Sequence, residues 1–435
     1  MADQSKNNYP FEAVIVDGGR IPFQRSGTGY KKLMAYDLGR MAIEGLIGRS
    51  AISGKDIDRV IMGTVIQDVN TSNVARESAL GAGIPNSVPA YTVTQACISS
   101  NQATSSAVDL IRSGQAKIIL AGGTETMSDI PVRFRKKFRQ KLLDARKYKS
   151  PGDFLGFFKG LRPSDLLPEV PSISEFSTGE TMGESCDRMA AHFGISRKEQ
   201  DEYALRSHQL AAKATHEGLL DSQLIPASVP PDFEVIEHDN GFREDTSMEK
   251  LEKLSPAFIK PHGTITAGNS SFLTDGASAS LIMEKDTALD LGLTPKAYLR
   301  EYTYVAQDPE NELLLGPAYA TPKVLESMGL QLKDIDVFEF HEAFAGQILT
   351  VLKALNSDKF AKEKLGKEHR VGEIPMDKFN CWGGSLSLGH PFGATGTRLV
   401  TTAADRLIHE DGNLALIAAC AAGGQGHAMI LERFH

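Results

Sequence analysis

Apolar and polar positions alternate with two different periods along this chain of 435 residues. Short apolar, β-branched runs predict buried strands at Ala13 to Val16, Val60 to Ile66, Ile118 to Ala121, Ala279 to Met283, Val337 to Phe340 and Leu414 to Ala418. Between several of them the period changes, and Leu38 to Ile47 and Ala103 to Ile111 predict helices. Buried strands alternating with helices give an α/β protein with mixed or mainly parallel sheets.

The pattern also repeats. Lys55-Asp56-Ile57-Asp58 leads into the strand at Val60, and Lys333-Asp334-Ile335-Asp336 leads into the strand at Val337. A second pair follows in the same order. Asp109-Leu110-Ile111 and Gly114 precede Ile118, and Asp405-Arg406-Leu407-Ile408 and Gly412 precede Leu416. Two matched pairs, flanked by the same element types, predict two related α/β halves. The second half is longer between its pairs, and the lysine-rich, weakly periodic residues 357–379 are the expected insertion. A different region separates the halves. It is irregular and rich in Lys, Arg and Pro, then helical from Met182 through Leu220, with a capping pattern from Ser196 to Glu199. The expected organisation is a first half at 1–130 plus 256–288, an inserted loop domain at 131–255, and a second half at 289–435.

Composition narrows the function classes. A formal charge of −8 argues against a general nucleic-acid partner. Four cysteines (Cys97, Cys186, Cys381, Cys420) lie far apart without a C-x-x-C pair, which excludes a zinc framework or a dense disulfide scaffold. No run approaches the roughly eighteen apolar residues of a membrane span. The opening residues have neither signal-peptide nor transit-peptide character, so a cytoplasmic location is expected, with a mature organellar form as the alternative.

Four places combine reactive side chains with strand ends or glycine turns. Cys97 lies between a strand-like run (Ala90 to Thr94) and small helix-compatible residues. A helix N-terminus there would favour a thiolate and lower the thiol pKa; a packed apolar cysteine is the rival reading. His390 sits in G-G-S-L-S-L-G-H-P-F-G-A-T-G, too rich in glycine and proline for a core element and suited to hold a histidine for proton transfer. A phosphate-binding loop is the rival, but neither glycine-motif spacing fits. Cys420 ends an apolar strand before A-A-G-G-Q-G, where backbone N–H groups can face an oxyanion. His341-Glu342-Ala343-Phe344 follows another strand; Ala345 breaks H-E-x-x-H, so no metal site is expected.

These blocks resemble those of the thiolase family in order and spacing, over essentially the whole chain. So does I-T-A-G-N-S-S-F-L-T-D-G-A (265–277), which resembles the family's coenzyme A-binding stretch. The resemblance implies a duplicated thiolase fold, two similar α/β halves in a layered α-β-α-β-α arrangement. It implies Cys97 as the nucleophile that becomes acylated, His390 as proton acceptor, Cys420 as the acid/base on the acetyl-CoA α-carbon, and His341 in an oxyanion hole. Ser271, Ala267, Met182, Phe344 and Ala422 are the implied substrate-binding residues. No metal or other cofactor is implied, because coenzyme A is a substrate. His341 stands where most relatives have Asn, and Ala422 where most have the first of three glycines. Both variants resemble the thiolase (β) subunits of trifunctional fatty-acid oxidation complexes. They favour a degradative medium- or long-chain 3-ketoacyl-CoA thiolase over an acetoacetyl-CoA thiolase. A homodimer core and a hydratase/dehydrogenase (α) subunit in a heterotetramer are implied as partners.

Residues 132–162 hold eleven Lys or Arg against two Asp, with Phe134, Phe138, Leu142 and Ala145 at helical spacing. A basic amphipathic helix of this kind suits a membrane surface or a partner subunit; a solvated lid that attracts coenzyme A phosphates is the bland alternative. Three rival functions remain: a carrier-protein condensing enzyme, a non-catalytic acyl-CoA or lipid carrier, and a cysteine hydrolase. Cys420 argues against the first, and retention of Cys97, His390 and Cys420 against the second. Need for free coenzyme A separates the third.

Overall fold

The computed structural model describes residues 9–169 and 174–435. Nine strands carry the fold: β1 (Ala13–Arg20), β2 (Arg59–Gly63), β3 (Ala90–Val93), β4 (Ile118–Glu125), β5 (Thr274–Glu284), β6 (Ala297–Ala306), β7 (Val337–Phe340), β8 (Leu414–Ala421) and β9 (Gln425–Arg433). They hydrogen-bond in the order β7-β8-β9-β6-β1-β5-β4-β2-β3, and a short strand at Gln24–Arg25 adds to β5.

This order contains the duplication. In the first half β2 is parallel to β3 and β4, β4 is antiparallel to β5, and β5 to β1. In the second half β7 is parallel to β8 and bridges in parallel to Phe379, β8 is antiparallel to β9, and β9 to β6. The register slips in both outermost pairs, between Ile15 and Asp17 and between Leu299 and Glu301. The K-D-I-D repeat has a matching task in each half. Asp58 Oδ2 accepts from the N–H groups of Lys117 and Ile118 at the start of β4, and Asp336 Oδ2 from those of Asn413 and Leu414 at the start of β8. Each carboxylate thus satisfies backbone donors that the ladder leaves open where the strand begins. The halves join through a two-residue contact, Val14 with Tyr298 and Ile15 with Ala297.

The helices repeat as well. In the first half α1 (Ala35–Arg49), α2 (Val74–Gly81) and α3 (Ser99–Arg112) follow β1, β2 and β3. The basic segment supplies α4 (Lys136–Ala145), and α5 (Met182–His192) and α6 (Arg197–His216) come next. In the second half α7 (Gly316–Ser327) and α8 (Ala345–Leu355) follow β6 and β7, and α9 (Thr395–His409) precedes β8. Three apolar cores give the layering. One packs α1 and α2 on the outer face of the first half, through Leu38, Ile43 and Ala79 against Val60 and Leu120. A central core holds α3 and α9 between the two halves, with Ala107, Ile111, Val400 and Leu407 against Ile15, Ile119, Ile417 and Leu431. A third covers the second half with α7 and α8. The result is the α-β-α-β-α order.

Helices α5 and α6, in the segment read from sequence as a separate loop domain, share that third core. Cys186, Met189, Tyr203 and Ala204 pack with Phe340, Ile348 and Leu416. An amphipathic face specifies burial but not its partner, so this packing was not legible in the sequence. Residues 357–379 form a short helix, a π turn and a loop between α8 and the Phe379 bridge, where the insertion was expected. Helix α4 has no buried residue. Phe134, Phe138, Phe157 and Phe158 stack edge to face beside it, while Leu143, Phe154 and Leu155 stay exposed. Among the described residues no helix is long and apolar enough to cross a membrane.

Candidate active site

Cys97 lies in the turn from β3 into α3. The turn is tight: Ala96 takes a left-handed φ of 46°, a conformation that costs a non-glycine residue about 1 kcal/mol or more and is retained where surroundings enforce it. Ser99 enforces it here, since its Oγ accepts from Gln95 N–H at 2.8 Å and donates to the Ala96 carbonyl at 2.7 Å. The sulfur meets the N–H of Ala422 from the turn between β8 and β9, so the two halves touch at this atom.

The helix-terminus expectation for the thiol needs correcting. Burial pushes Cys97 up to about 12, with the Ala422 N–H pulling the other way and Glu125 and Glu175 adding to the rise. The reason is visible in the turn. The N–H groups of Ile98 and Ser99 donate to the carbonyls of Gln95 and Ala96, so they are not free to solvate a thiolate. Desolvation therefore wins.

His390 and His341 stack with ring centroids 4.0 Å apart, and one donor atom each from Cys97, His341 and His390 lies within 4.8 Å of the others. His390 rides on the turn from Gly389 to Thr395. Its N–H donates to Thr274 Oγ1 at 3.0 Å, and its Nδ1 lies 2.6 Å from Thr395 Oγ1. The Thr395 hydroxyl hydrogen goes to the Pro391 carbonyl at 3.1 Å. Thr395 Oγ1 must then accept from His390 Nδ1–H, which leaves Nε2 as a bare, buried lone pair without a partner among the described residues. Burial, with Arg398 as the second cause, lowers His390 to about 3 and His341 well below the usual imidazole range. The resting pair is a neutral thiol beside neutral imidazoles, poised for proton transfer rather than already ionised.

Cys420 is buried at the end of β8, close enough to Cys97 for charge on either sulfur to disfavour charge on the other, and burial raises its thiol strongly. After it the chain turns through Gly423 and Gly424, both with left-handed φ (82° and 66°). Glu175 braces the turn, its Oε1 accepting from Gly423 N–H at 2.7 Å.

Two buried carboxylates that sequence reasoning passed over hold these pieces together. Glu342 accepts from Tyr203 Oη (2.7 Å), Ser207 Oγ (2.9 Å), Asn380 Nδ2 (2.7 Å) and Leu386 N–H (3.2 Å). It ties α6 and the 380–386 loop to the residue after His341. Gly384 has no side chain because a Cβ there would overlap this carboxylate. Glu125 accepts from the N–H groups of Val65, Ile66 and Gly393, each at 3.0 Å, and burial pushes it up to about 7. It locks the His390 turn onto β2 and β4, which the turn can approach because Gly123 also lacks a Cβ. Nothing in the local pattern marks either residue; the only signal is a charged side chain beside an apolar strand.

The implied substrate residues lie along one path. Residues 265–277 run past both histidine elements: Ser271 N–H donates to the Ala343 carbonyl at 2.9 Å, Ser270 bridges Phe344, and Leu273 bridges His390. Phe344 is buried with its ring 5.9 Å from Phe258, and Met182 packs on the same core at the start of α5. Ala267 is exposed.

Comparison with known proteins places this arrangement. Residues 13–286 match the thiolase N-terminal domain and residues 293–433 the thiolase C-terminal domain. The mitochondrial trifunctional enzyme subunit beta of Bos taurus is 60% identical over 421 residues, 97% of this chain and 88% of that protein. The 3-ketoacyl-CoA thiolase of Yersinia pestis (strain Pestoides F) is 45% identical over 419 residues, 96% of each. The crystal structure of the Bacillus anthracis acetyl-CoA acetyltransferase superposes with a TM-score of 0.85 at 30% identity, covering 98% of this chain and 100% of that one. With both domains matched in order across nearly its whole length, this chain belongs to the thiolase family.

Proposed function

We propose that the protein is a 3-ketoacyl-CoA thiolase (an acetyl-CoA C-acyltransferase) of fatty-acid β-oxidation, cleaving medium- or long-chain 3-ketoacyl-CoA with coenzyme A into acyl-CoA and acetyl-CoA. The observation that carries it is the convergence of Cys97, His390, His341 and Cys420 from both halves on one site. Cys97 attacks the 3-keto carbonyl while His390 Nε2 takes the thiol proton. The N–H groups of Cys97 and Ala422 face the first oxyanion. The C2–C3 bond breaks, leaving an acyl-Cys97 thioester and an acetyl-CoA enolate whose oxygen is held by His341 and His390. Cys420 protonates the enolate carbon, and incoming coenzyme A takes the acyl group. Ser271 and Ala267 contact coenzyme A, and Met182 and Phe344 the acyl side. No metal or redox cofactor has a task in this sequence, and the Cys97–His341–His390 cluster is read as acyl-transfer chemistry.

The relatives' names support the 3-ketoacyl-CoA reading over an acetoacetyl-CoA thiolase, since 60% and 45% identity attach to the former and 30% to an acetyltransferase. The subunit named in the Bos taurus relative supports a hydratase/dehydrogenase (α) partner in a heterotetramer around a homodimer core. The basic segment 132–162, with its exposed Phe154 and Leu155, is read as a contact for an anionic membrane surface. A cytoplasmic location is proposed on the sequence reading; the relative named as mitochondrial is the rival, and cell fractionation separates them.

The test is ultraviolet loss of a long-chain 3-ketoacyl-CoA, with and without free coenzyme A, for wild type and Cys97→Ala. Loss that needs both coenzyme A and Cys97 is the expected result. Loss without coenzyme A would mean hydrolysis, and no loss in a folded wild type would mean a carrier.

A further inference from the structure

We infer that Ser385 and Arg398 are positioning residues that fix which ring nitrogen of His341 carries its proton, making Nε2–H the donor turned toward substrate. The inference rests on the thiolase reading, because it concerns the group that meets the enolate oxygen.

Arg398, on α9, is a buried guanidinium and can only donate hydrogen bonds. Its Nη2 lies 2.9 Å from Ser385 Oγ, and that oxygen lies 2.9 Å from His341 Nδ1. A hydroxyl has one hydrogen. Since Ser385 accepts from Arg398, its hydrogen is available to His341, and Nδ1 must be the acceptor. A neutral imidazole that accepts at Nδ1 carries its proton at Nε2. His341 Nε2 is buried with no partner among the described residues. His390 is wired in the opposite sense, because Thr395 spends its hydrogen on the Pro391 carbonyl and accepts from Nδ1. Two rings in contact therefore offer different chemistry: a lone pair for the Cys97 proton and an N–H for developing negative charge.

A purely structural role for Arg398 would be an ion pair with Glu339. Their closest approach is 3.8 Å, while Glu339 binds Arg406 at 2.7 Å. Arg398 Nε and Nη1 have no hydrogen-bond partner among the described residues, so its hydrogen bond goes to Ser385 alone. The same positive charge disfavours protonation of both rings, second to burial. Ser385 and His341 are thus one device: a histidine here needs a hydroxyl donor at Nδ1 to keep its outward nitrogen protonated.

The experiment uses the full chain labelled with 15N-histidine, with the His341 signals assigned by their loss in His341→Gln. Wild type is expected to show a bare Nδ1 and protonated Nε2 for His341, and the reverse for His390. Enolate formation is followed separately as exchange of the acetyl-CoA α-protons with deuterated water, and nucleophile function as acylation of Cys97. Ser385→Ala is expected to slow exchange about 100-fold, the scale of a lost oxyanion donor or wrong tautomer, while slowing acylation by no more than about threefold, and Ser385→Thr to recover most of the exchange. A proton on Nδ1 of His341, or wild-type exchange in Ser385→Ala, overturns the inference. Absence of thiolysis in wild type would instead count against the thiolase reading, and the tautomer measurement would still decide this one.

Discussion

Replacing Glu342 by Gln separates the work of its charge and geometry from that of its volume. The side chain is fully buried and accepts four hydrogen bonds, two on each oxygen. An amide turns one oxygen into a donor. If the NH2 faces Oε1's partners it meets Asn380 Nδ2, which cannot turn because Asn380 Oδ1 accepts from Phe340 N–H at 2.8 Å and Nδ2 donates to the Phe340 carbonyl at 2.9 Å. If it faces Oε2's partners, Ser207 can rotate to accept, but the Leu386 N–H is stranded. The second arrangement is the cheaper. It loses one charge-assisted bond and one reoriented hydroxyl, about 2–3 kcal/mol in all. Glu342→Ala also strands Tyr203 Oη and leaves a cavity, so about 4 kcal/mol or more is expected. Urea unfolding followed by circular dichroism measures both, as a shift in midpoint at unchanged slope. Leu386 is next to Ser385, and the loop continues to His390. Turnover of the Gln variant should therefore fall about tenfold or more, through misplacement rather than lost chemistry. A Gln variant with wild-type midpoint and turnover, or one as unstable as the Ala variant, would refute the idea that directional acceptance anchors this loop.

The free enzyme should also betray its un-ionised thiol. With Cys97 raised to about 12 and His390 lowered to about 3, the thiolate fraction rises tenfold per pH unit across the neutral range. Iodoacetamide should alkylate Cys97 with a slope near one on a logarithmic rate–pH plot from pH 6 to 9, and a flat profile from pH 5 to 8 would show a pre-formed ion pair. For the basic segment, sedimentation with vesicles containing anionic lipid is expected, weakening at high salt and after joint substitution Phe154→Ser and Leu155→Ser. Equal binding to neutral vesicles, or none to either, would remove the membrane reading.

Much of this fold was written in local pattern. The six expected strands lie within or along β1, β2, β4, β5, β7 and β8, and the repeated K-D-I-D marks the aspartates that cap β4 and β8. Two strands escaped notice. In β6 the apolar alternation is interrupted by Arg300, whose guanidinium binds Glu12 and Glu432 at 2.6 Å each. Strand β9 begins directly after the Ala422-Gly423-Gly424 turn, whose glycines pointed to an oxyanion site and hid a hairpin. Within the site, Cys97, His341, His390 and Cys420 announced themselves by reactive chemistry at strand ends. Glu342, Glu125, Ser385 and Arg398 did not, because their significance comes from burial and from partners far away in sequence. The thiol expectation failed for the same reason: a helix terminus is local, whereas desolvation belongs to the whole fold.

The place of β1 in the sheet has a bearing on how the chain is made. Its two neighbours are β5, which begins at Thr274, and β6, which begins at Ala297. The first strand to leave a ribosome is therefore among the last to find its partners, and Val14, Ile15 and Val16 must wait through more than half of synthesis with no ladder to join. Such delayed pairing is slow in closure and exposed to aggregation. Nascent chains truncated before Thr274 would hold the nucleophile's helix and both strands beside it, yet lack the strand that joins the two halves, making this enzyme a natural client for a chaperone that binds early and lets go late.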